Sequence, residues 1–217
     1  RATVSLRDKA EMEKRCPQGK TIVIENGVNT GTIRLFPGTA SRKVLFMGSL
    51  DYFPNTDGAF YMAKRVMPLV WQNNPGITLC IAGRNPPDSV RALASDPRVE
   101  VIPDPEDMRA VARDCCMTVV PLHIGGGTRL KILESMAMGL PVVSTTLGCE
   151  GLSVTDAADI LVRDDPEGFA NAILQIITQP AVRDRLRSNG RKLVEDRYDW
   201  RFMYERLETE ILTLVDE

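Results

Sequence analysis

Between His123 and Gly139 the sequence reads HIGGGTRLKILESMAMG, in which Gly125, Gly126 and Gly127 lead to two cations, Arg129 and Lys131, and then to a carboxylate, Glu134. Leu130, Leu133 and Ala137, with Ile132 and Met136 beside them, recur at helical spacing, and Gly139 followed by Pro141 ends the run. The predicted helix therefore carries both cations in its first turn, where unpaired N–H groups and the macrodipole are already positive. Each charge so placed costs roughly a few tenths of a kcal/mol. A bound anion reverses the sign, and glycines without Cβ let a phosphate approach the backbone N–H groups closely. The turn is read as a pyrophosphate cradle. The competing reading is a tight strand-to-helix turn with Lys131 and Glu134 as an ordinary surface pair. Neither the P-loop pattern nor GxGxxG is satisfied, since Leu130 stands where the last glycine of the latter belongs.

Such a turn must be held by strands and helices in alternation. Apolar runs at 43–49, 77–83, 99–103, 117–122, 141–146 and 159–163 read as six strands, the first two ending in or beside a glycine. A helical pattern at 55–71, bent or ended by Pro68, separates the first pair. Asp88 is expected to cap a short helix, and Asp104-Pro105 and Asp165-Pro166 to open others with a capping acid and a proline. The alternation predicts an α/β fold with a doubly wound, six-stranded parallel sheet in the order 3-2-1-4-5-6. In that order ligand lies outside the carboxyl ends of the first and fourth strands, and His123–Arg129 follows the fourth directly. Residues 1–20 read as helical or irregular and 21–25 as a short β-prone run. Residues 180–217 read as helical, and their many arginines, interleaved with acids, as a solvated face in preference to a membrane-surface helix.

With 217 residues, 43% of them hydrophobic, the chain can bury a full single-domain core. A net charge of −2 with mixed signs leaves no basic stripe for nucleic acid, and no apolar run is long enough to span a membrane, so a soluble protein is expected. Five cysteines without CxxC spacing argue against a disulfide framework or zinc site and for a reducing cytoplasm. One histidine, His123, and no GxSxG elbow argue against a hydrolase triad. His123 is either a phosphate or sugar contact or an unremarkable loop residue, and Asp51 and Asp57 either border a ligand or are helix-start acids. Arg1 is not a natural start, and the chain is expected to begin inside a longer protein.

The run at 125–152, GGGTRLKILESMAMGLPVVSTTLGCEGL, resembles the nucleotide-sugar-binding half of group 1 glycosyltransferases, the large family 4 of the two-domain GT-B class. ENGVN at 25–29 is similar to that family's PNGVD turn, and GSLDYFPN at 48–55, IAGR at 81–84 and RDDPEGFANAI at 163–173 agree in spacing. The resemblance implies a donor-binding Rossmann-like domain over residues 21–198, a remnant at 1–20 of the segment following an absent N-terminal acceptor domain, and a helix at 199–217 that packs back toward it. Glu134 matches the second glutamate of the family's E-x7-E motif, which binds the ribose hydroxyls. Thr128 and Arg129, beside Gly126 and Gly127, would offer N–H groups to the phosphates, and Arg84 and the turn beginning at Ile102 would border the base. The first glutamate of the motif, expected at the donor sugar, is Gly126 here. The family's phosphate-binding arginine and lysine align with Ser49 and Pro54, and Arg129 and Lys131 are placed to replace them.

The reaction so implied is transfer of a sugar from a UDP- or GDP-sugar to an acceptor hydroxyl, with retention of configuration and without a metal or other cofactor. Arg129 and Lys131 would stabilise the leaving diphosphate. The acceptor, a sugar or lipid-linked glycan in polysaccharide biosynthesis, would bind through the absent domain, leaving this one inactive alone. Such a protein would be cytoplasmic, or peripheral at the inner membrane face. The alternatives are a GT-B-like sugar-nucleotide epimerase and a nucleotide-binding module without catalytic activity.

Overall fold

The computed structural model describes residues 1–39, 41–125 and 129–215. Two short strands, β1 (Ala2–Thr3) and β2 (Ile22–Val23), pair in parallel around α1 (Leu6–Arg15), so the β-prone run at 21–25 lies outside the main sheet. Helix α1 is capped by Ser5, whose hydroxyl accepts from the Asp8 N–H at 3.1 Å, and ends on Lys14 and Arg15, which suit the negative pole.

The main unit runs β3 (Lys43–Met47), α2 (Phe53–Tyr61), α3 (Met67–Asn73), β4 (Thr78–Gly83), α4 (Asp88–Arg91), β5 (Val99–Pro103), α5 (Met108–Arg113), β6 (Met117–Val120), α6 (Leu130–Met138), β7 (Val142–Ser144), β8 (Leu161–Val162), α7 (Pro166–Thr178), α8 (Pro180–Arg197) and α9 (Trp200–Val215). The strands form one parallel six-stranded sheet ordered β5-β4-β3-β6-β7-β8, the order expected from the sequence. Period-2 alternation sorts its side chains to two cores: Val44, Phe46, Leu79 and Ile81 face the side of α2, α3 and α7, and Leu45, Met47, Cys80 and Ala82 the opposite side. All five cysteines are free thiols. No helix among the described residues is long and apolar enough to cross a membrane.

Local chemistry explains where element boundaries differ from expectation. The helix after β3 widens to a π turn over Met62–Val66, because Pro68 has no N–H to continue the regular ladder. Asp88 is the first residue of α4 and makes no cap, the preceding Pro87 taking that position. Helix α5 is capped by Asp107, which accepts from the Arg109 N–H at 2.9 Å, and not by Asp104. Asp104 adopts a left-handed φ of 48° and instead accepts the Asn85 N–H at 2.8 Å. Asp165 caps α7 as expected, with Pro166 at its first position.

The arginines of α8 are not all a solvated face. Arg191 donates to Ile33 O at 2.8 Å, to Thr30 O at 3.2 Å and to Ala137 O, and Arg187 donates to Phe36 O. These carbonyls belong to the loop before β3 and to the last turn of α6, where no intrahelical donor is available. The α8–α9 corner is buried as well. Tyr198 is 1% exposed, its hydroxyl accepts the Ser153 N–H at 2.7 Å, and its carbonyl accepts the Val28 N–H at 2.8 Å.

Candidate functional site

The crevice lies at the carboxyl ends of β3 and β6, neighbours in the sheet whose connections leave in opposite directions. Its floor requires glycine: a Cβ on Gly83 would sit 1.8 Å from the Gly48 carbonyl oxygen, so only a bare backbone lets β4 end this close to β3. Beyond that contact the strand ends are stitched together. Leu50 N–H donates to Arg84 O at 2.7 Å, the Arg84 guanidinium to Ser49 Oγ at 3.0 Å, and Asn85 Nδ2 to the Asp51 carboxylate at 3.1 Å. Asp51 is thus engaged with the neighbouring strand end. Ile102, half-buried on β5, lies opposite Ala82 of β4 and packs against the same apolar cluster as Met108 and Val111.

Helix α6 rises from the other wall. The expected cradle residues Gly126, Gly127 and Thr128 lie outside the described residues, and the helix is described from its capping position, Arg129, onward. Among the described residues no side chain caps it, and no acid stands in its first turn. Ile132, Leu133, Met136 and Ala137 are buried as expected, whereas Leu130 is 38% exposed beside the crevice. Gly139, at a left-handed φ of 75°, closes the helix.

Both cations are drawn inward. Arg129 is 6% exposed and donates to Leu147 O at 3.1 Å and to Gly125 O at 3.2 Å, bridging Gly125 to the segment after β7. Burial holds its guanidinium below its ordinary pKa, against the attraction of Glu150. Lys131 donates to Met47 O at 2.9 Å and to Asn55 Oδ1 at 2.8 Å, and no carboxylate among the described residues forms an ion pair with it. Burial first, and the Arg129 charge second, pull its ammonium from 10.5 down to about 8. Like-charge crowding in this helix turn is therefore a property of the fold.

Asn55 is the residue that sequence reasoning missed. Its carbonyl receives Lys131 while its amide donates to Ser49 O at 2.8 Å, so one 7%-exposed side chain joins the loop after β3 to the cation on α6. Ser49, Arg84, Lys131 and Asn55 thereby form one connected wall. Glu134 stands exposed, just under one turn beyond Lys131; desolvation by neighbouring protein lifts its carboxyl above the ordinary value, against Arg109 and Lys131. His123 lies apart. Its exposed ring rests on Tyr61 at 4.4 Å between centroids, with Nε2 3.5 Å from Asp164 O.

On the other side of Arg129 a cavity of about 770 Å³ opens, lined by Gly125, Arg129, Glu150, Ser153, Glu25 and Asn26, with part of α1 across from them. It places Glu25 and Asn26 of the ENGVN run on the same cavity as Gly125, a proximity that separation along the chain conceals. No cluster of potential metal ligands occurs among the described residues. The arrangement as a whole offers a helix start with no capping side chain among the described residues, two desolvated cations, an exposed carboxylate on the same helix, and a polar hollow sharing one of those cations. That is the chemistry of a bound anion with a polyhydroxylated extension.

Comparison with known proteins follows the same direction. A family described as "Glycosyl transferases group 1" matches residues 41–179. The chain is 27% identical over 165 residues to an uncharacterised 44.6 kDa protein of the cps region of Klebsiella pneumoniae, covering 72% of this chain and 42% of that one. It is 27% identical over 134 residues to the capsular polysaccharide biosynthesis glycosyltransferase CapM of Staphylococcus aureus, covering 58% of this chain and 33% of the other. The chain thus spans less than half the length of these two relatives. In fold it superposes on Anabaena HepE, solved in complex with UDP and glucose, with a TM-score of 0.77 at 15% identity, covering 97% of this chain and 62% of that one.

Proposed function

The chain belongs to the group 1 glycosyl transferases, and we propose that it is the part of such an enzyme that binds a nucleoside-diphosphate sugar and releases the diphosphate as the sugar moves to an acceptor hydroxyl. The observation that carries this reading is the pair Arg129 and Lys131, both desolvated, at an α6 start that has neither a capping side chain nor a first-turn acid among the described residues. A diphosphate there would accept from the first-turn N–H groups and relieve the repulsion between the two cations. As the glycosidic bond breaks, negative charge grows on the leaving oxygen, and donors already fixed in place stabilise it without reorganising. Glu134 would accept from the ribose hydroxyls, and Ser49, Arg84 and Ile102 would border the base. Retention of configuration, independence of metal, a cytoplasmic location and an acceptor site on another domain are parts of the same proposal. The relative CapM, named for capsular polysaccharide biosynthesis, supports a glycan acceptor.

Calorimetric titration with UDP, GDP and ADP tests the reading. Saturable binding of at least one is expected, with a matching rise in melting temperature, as for any ligand selective for the native state. Binding of none to a cooperatively folded chain would overturn it. Glu134→Ala is expected to weaken UDP binding about tenfold, the loss of roughly one charge-assisted hydrogen bond. Its effect on 2′-deoxy-UDP should be smaller, because one of the two hydroxyls is gone. Equal losses would remove Glu134 from the ribose site.

A further inference from the structure

Between Asp114 and Glu134 the chain contains no aspartate or glutamate, so the turn leading into α6 has no carboxylate of its own to meet the sugar of a donor. The cavity beside it does. Of the acids lining that cavity, Asp8 accepts from its own capping Ser5 and Glu25 pairs with Arg206 at 3.6 Å. Among the described residues the ion pair of Glu150 is a long contact of 3.8 Å with Arg7, whose side chain is 78% exposed, a pair of little strength in water. Glu150 lines the same cavity as Arg129, the cation at the head of α6.

The turn that presents Glu150 is rigid. Thr145 N–H donates to Val120 O at 3.2 Å and Cys149 N–H to Thr145 O at 3.2 Å, and Arg129 holds Leu147 O. A Cβ on Gly148 would lie 2.4 Å from both Ser144 Oγ and Val120 O, so the segment is seated directly on the strand ends. Gly151, at a φ of 83° with open space around it, then turns the chain away and leaves Glu150 at the rim. A carboxylate fixed by such a backbone can accept from two adjacent hydroxyls at once, the geometry that a pyranose ring presents.

We infer that the cavity between Arg129 and the ENGVN turn receives the sugar of the donor, and that Glu150 is its specificity-determining residue, accepting hydrogen bonds from neighbouring sugar hydroxyls. This rests on the donor-binding reading above. Ser153 and Asn26, on the same cavity wall, supply further polar contacts.

The test is calorimetry of the wild-type chain, Glu150→Gln and Glu150→Ala with UDP, UDP-glucose, UDP-galactose, UDP-N-acetylglucosamine, GDP and GDP-mannose. Both variants are expected to bind the bare diphosphate no more weakly than wild type, since each removes a negative charge on the cavity that Arg129 shares. The alanine variant should bind the preferred nucleotide sugar about tenfold more weakly, with the glutamine variant between, and discrimination between sugars should shrink. If the ratio of nucleotide-sugar to nucleotide affinity is unchanged for every donor, or if both fall together, the assignment of Glu150 is overturned while the nucleotide site stands. Failure of the wild type to bind any nucleotide has a different signature and removes the donor-binding reading and this inference together. Coincident melting curves for the three proteins exclude a folding defect as the cause.

Discussion

Lys131→Met is expected to weaken UDP binding by about 10- to 100-fold, the equivalent of one lost charge-assisted contact of roughly 1.5–3 kcal/mol. Methionine keeps the apolar stem over the Phe46 ring, which the ammonium approaches at 5.6 Å, and removes only the charge. Two opposing effects keep the cost to stability small: a buried charge is eliminated, while Met47 O and Asn55 Oδ1 lose their donor. The pH dependence gives a second readout. Lys131 releases its proton near pH 8 in the folded chain and near 10.5 in the unfolded one. Between those values the unfolded state binds more protons, so this residue's contribution to stability rises with pH through that window. A diphosphate would favour the charged form, so UDP binding near pH 8 to 9 should be accompanied by proton uptake, detected as an enthalpy that varies with buffer ionisation. Wild-type affinity should then decline as the pH rises above about 8, and that of Lys131→Met should stay flat. A variant that binds UDP within twofold of wild type at neutral pH would show that the lysine serves the loop after β3 alone.

Asp199→Ala should be the most destabilising of the substitutions considered, by about 2–4 kcal/mol in chemical denaturation. The carboxylate is 2% exposed and accepts from Thr30 N at 3.1 Å, from Thr30 Oγ1, and from Arg201 N and Nε, each at 2.9 Å. Arg201 is largely exposed and contributes little as an ion pair, so most of the loss comes from the orphaned Thr30 donors. Burial by itself would raise the Asp199 pKa, but the hydrogen bonds from Thr30 and Arg201 outweigh it and hold the group well below its ordinary 3.8. The sign follows: the stabilisation is fully present above pH 3.8 and fades as the pH falls below it toward the folded value. The stability gap between wild type and Asp199→Asn should narrow over that acid range, and a gap independent of pH would show that the charge is immaterial.

Much of the architecture was legible because it is written locally. Each strand of the sheet is an apolar run bounded by turn residues, and Asp165-Pro166 and Gly139 mark helix ends by chemistry that needs no distant partner. Asp104 was misread because its carboxylate is taken by Asn85, 19 positions earlier, which leaves Asp107 to cap α5. Arg191 read as solvated because nothing along α8 announces that carbonyls at 30, 33 and 137 converge on it. The candidate site divides in the same way. The crowding of Arg129 and Lys131 followed from their two-residue spacing, although only Lys131 lies in the first turn and Arg129 is the capping residue before it, whereas Asn55 meets Lys131 across 76 positions and Glu150 reaches the cavity through the folding of β7 against β6.

The grip of Arg191 on α6 has a mechanical meaning. The helix whose head faces the crevice is clamped at its tail by a side chain from α8, with Ala137 O and Ile33 O in the same guanidinium. The same α8 leads to the Tyr198–Asp199 elbow, whose backbone exchanges hydrogen bonds with Val28 of the ENGVN loop, and Glu25 and Asn26 of that loop line the hollow beside Arg129. Both walls of the hollow are thus moored, through separate bonds, to one C-terminal helix and its corner.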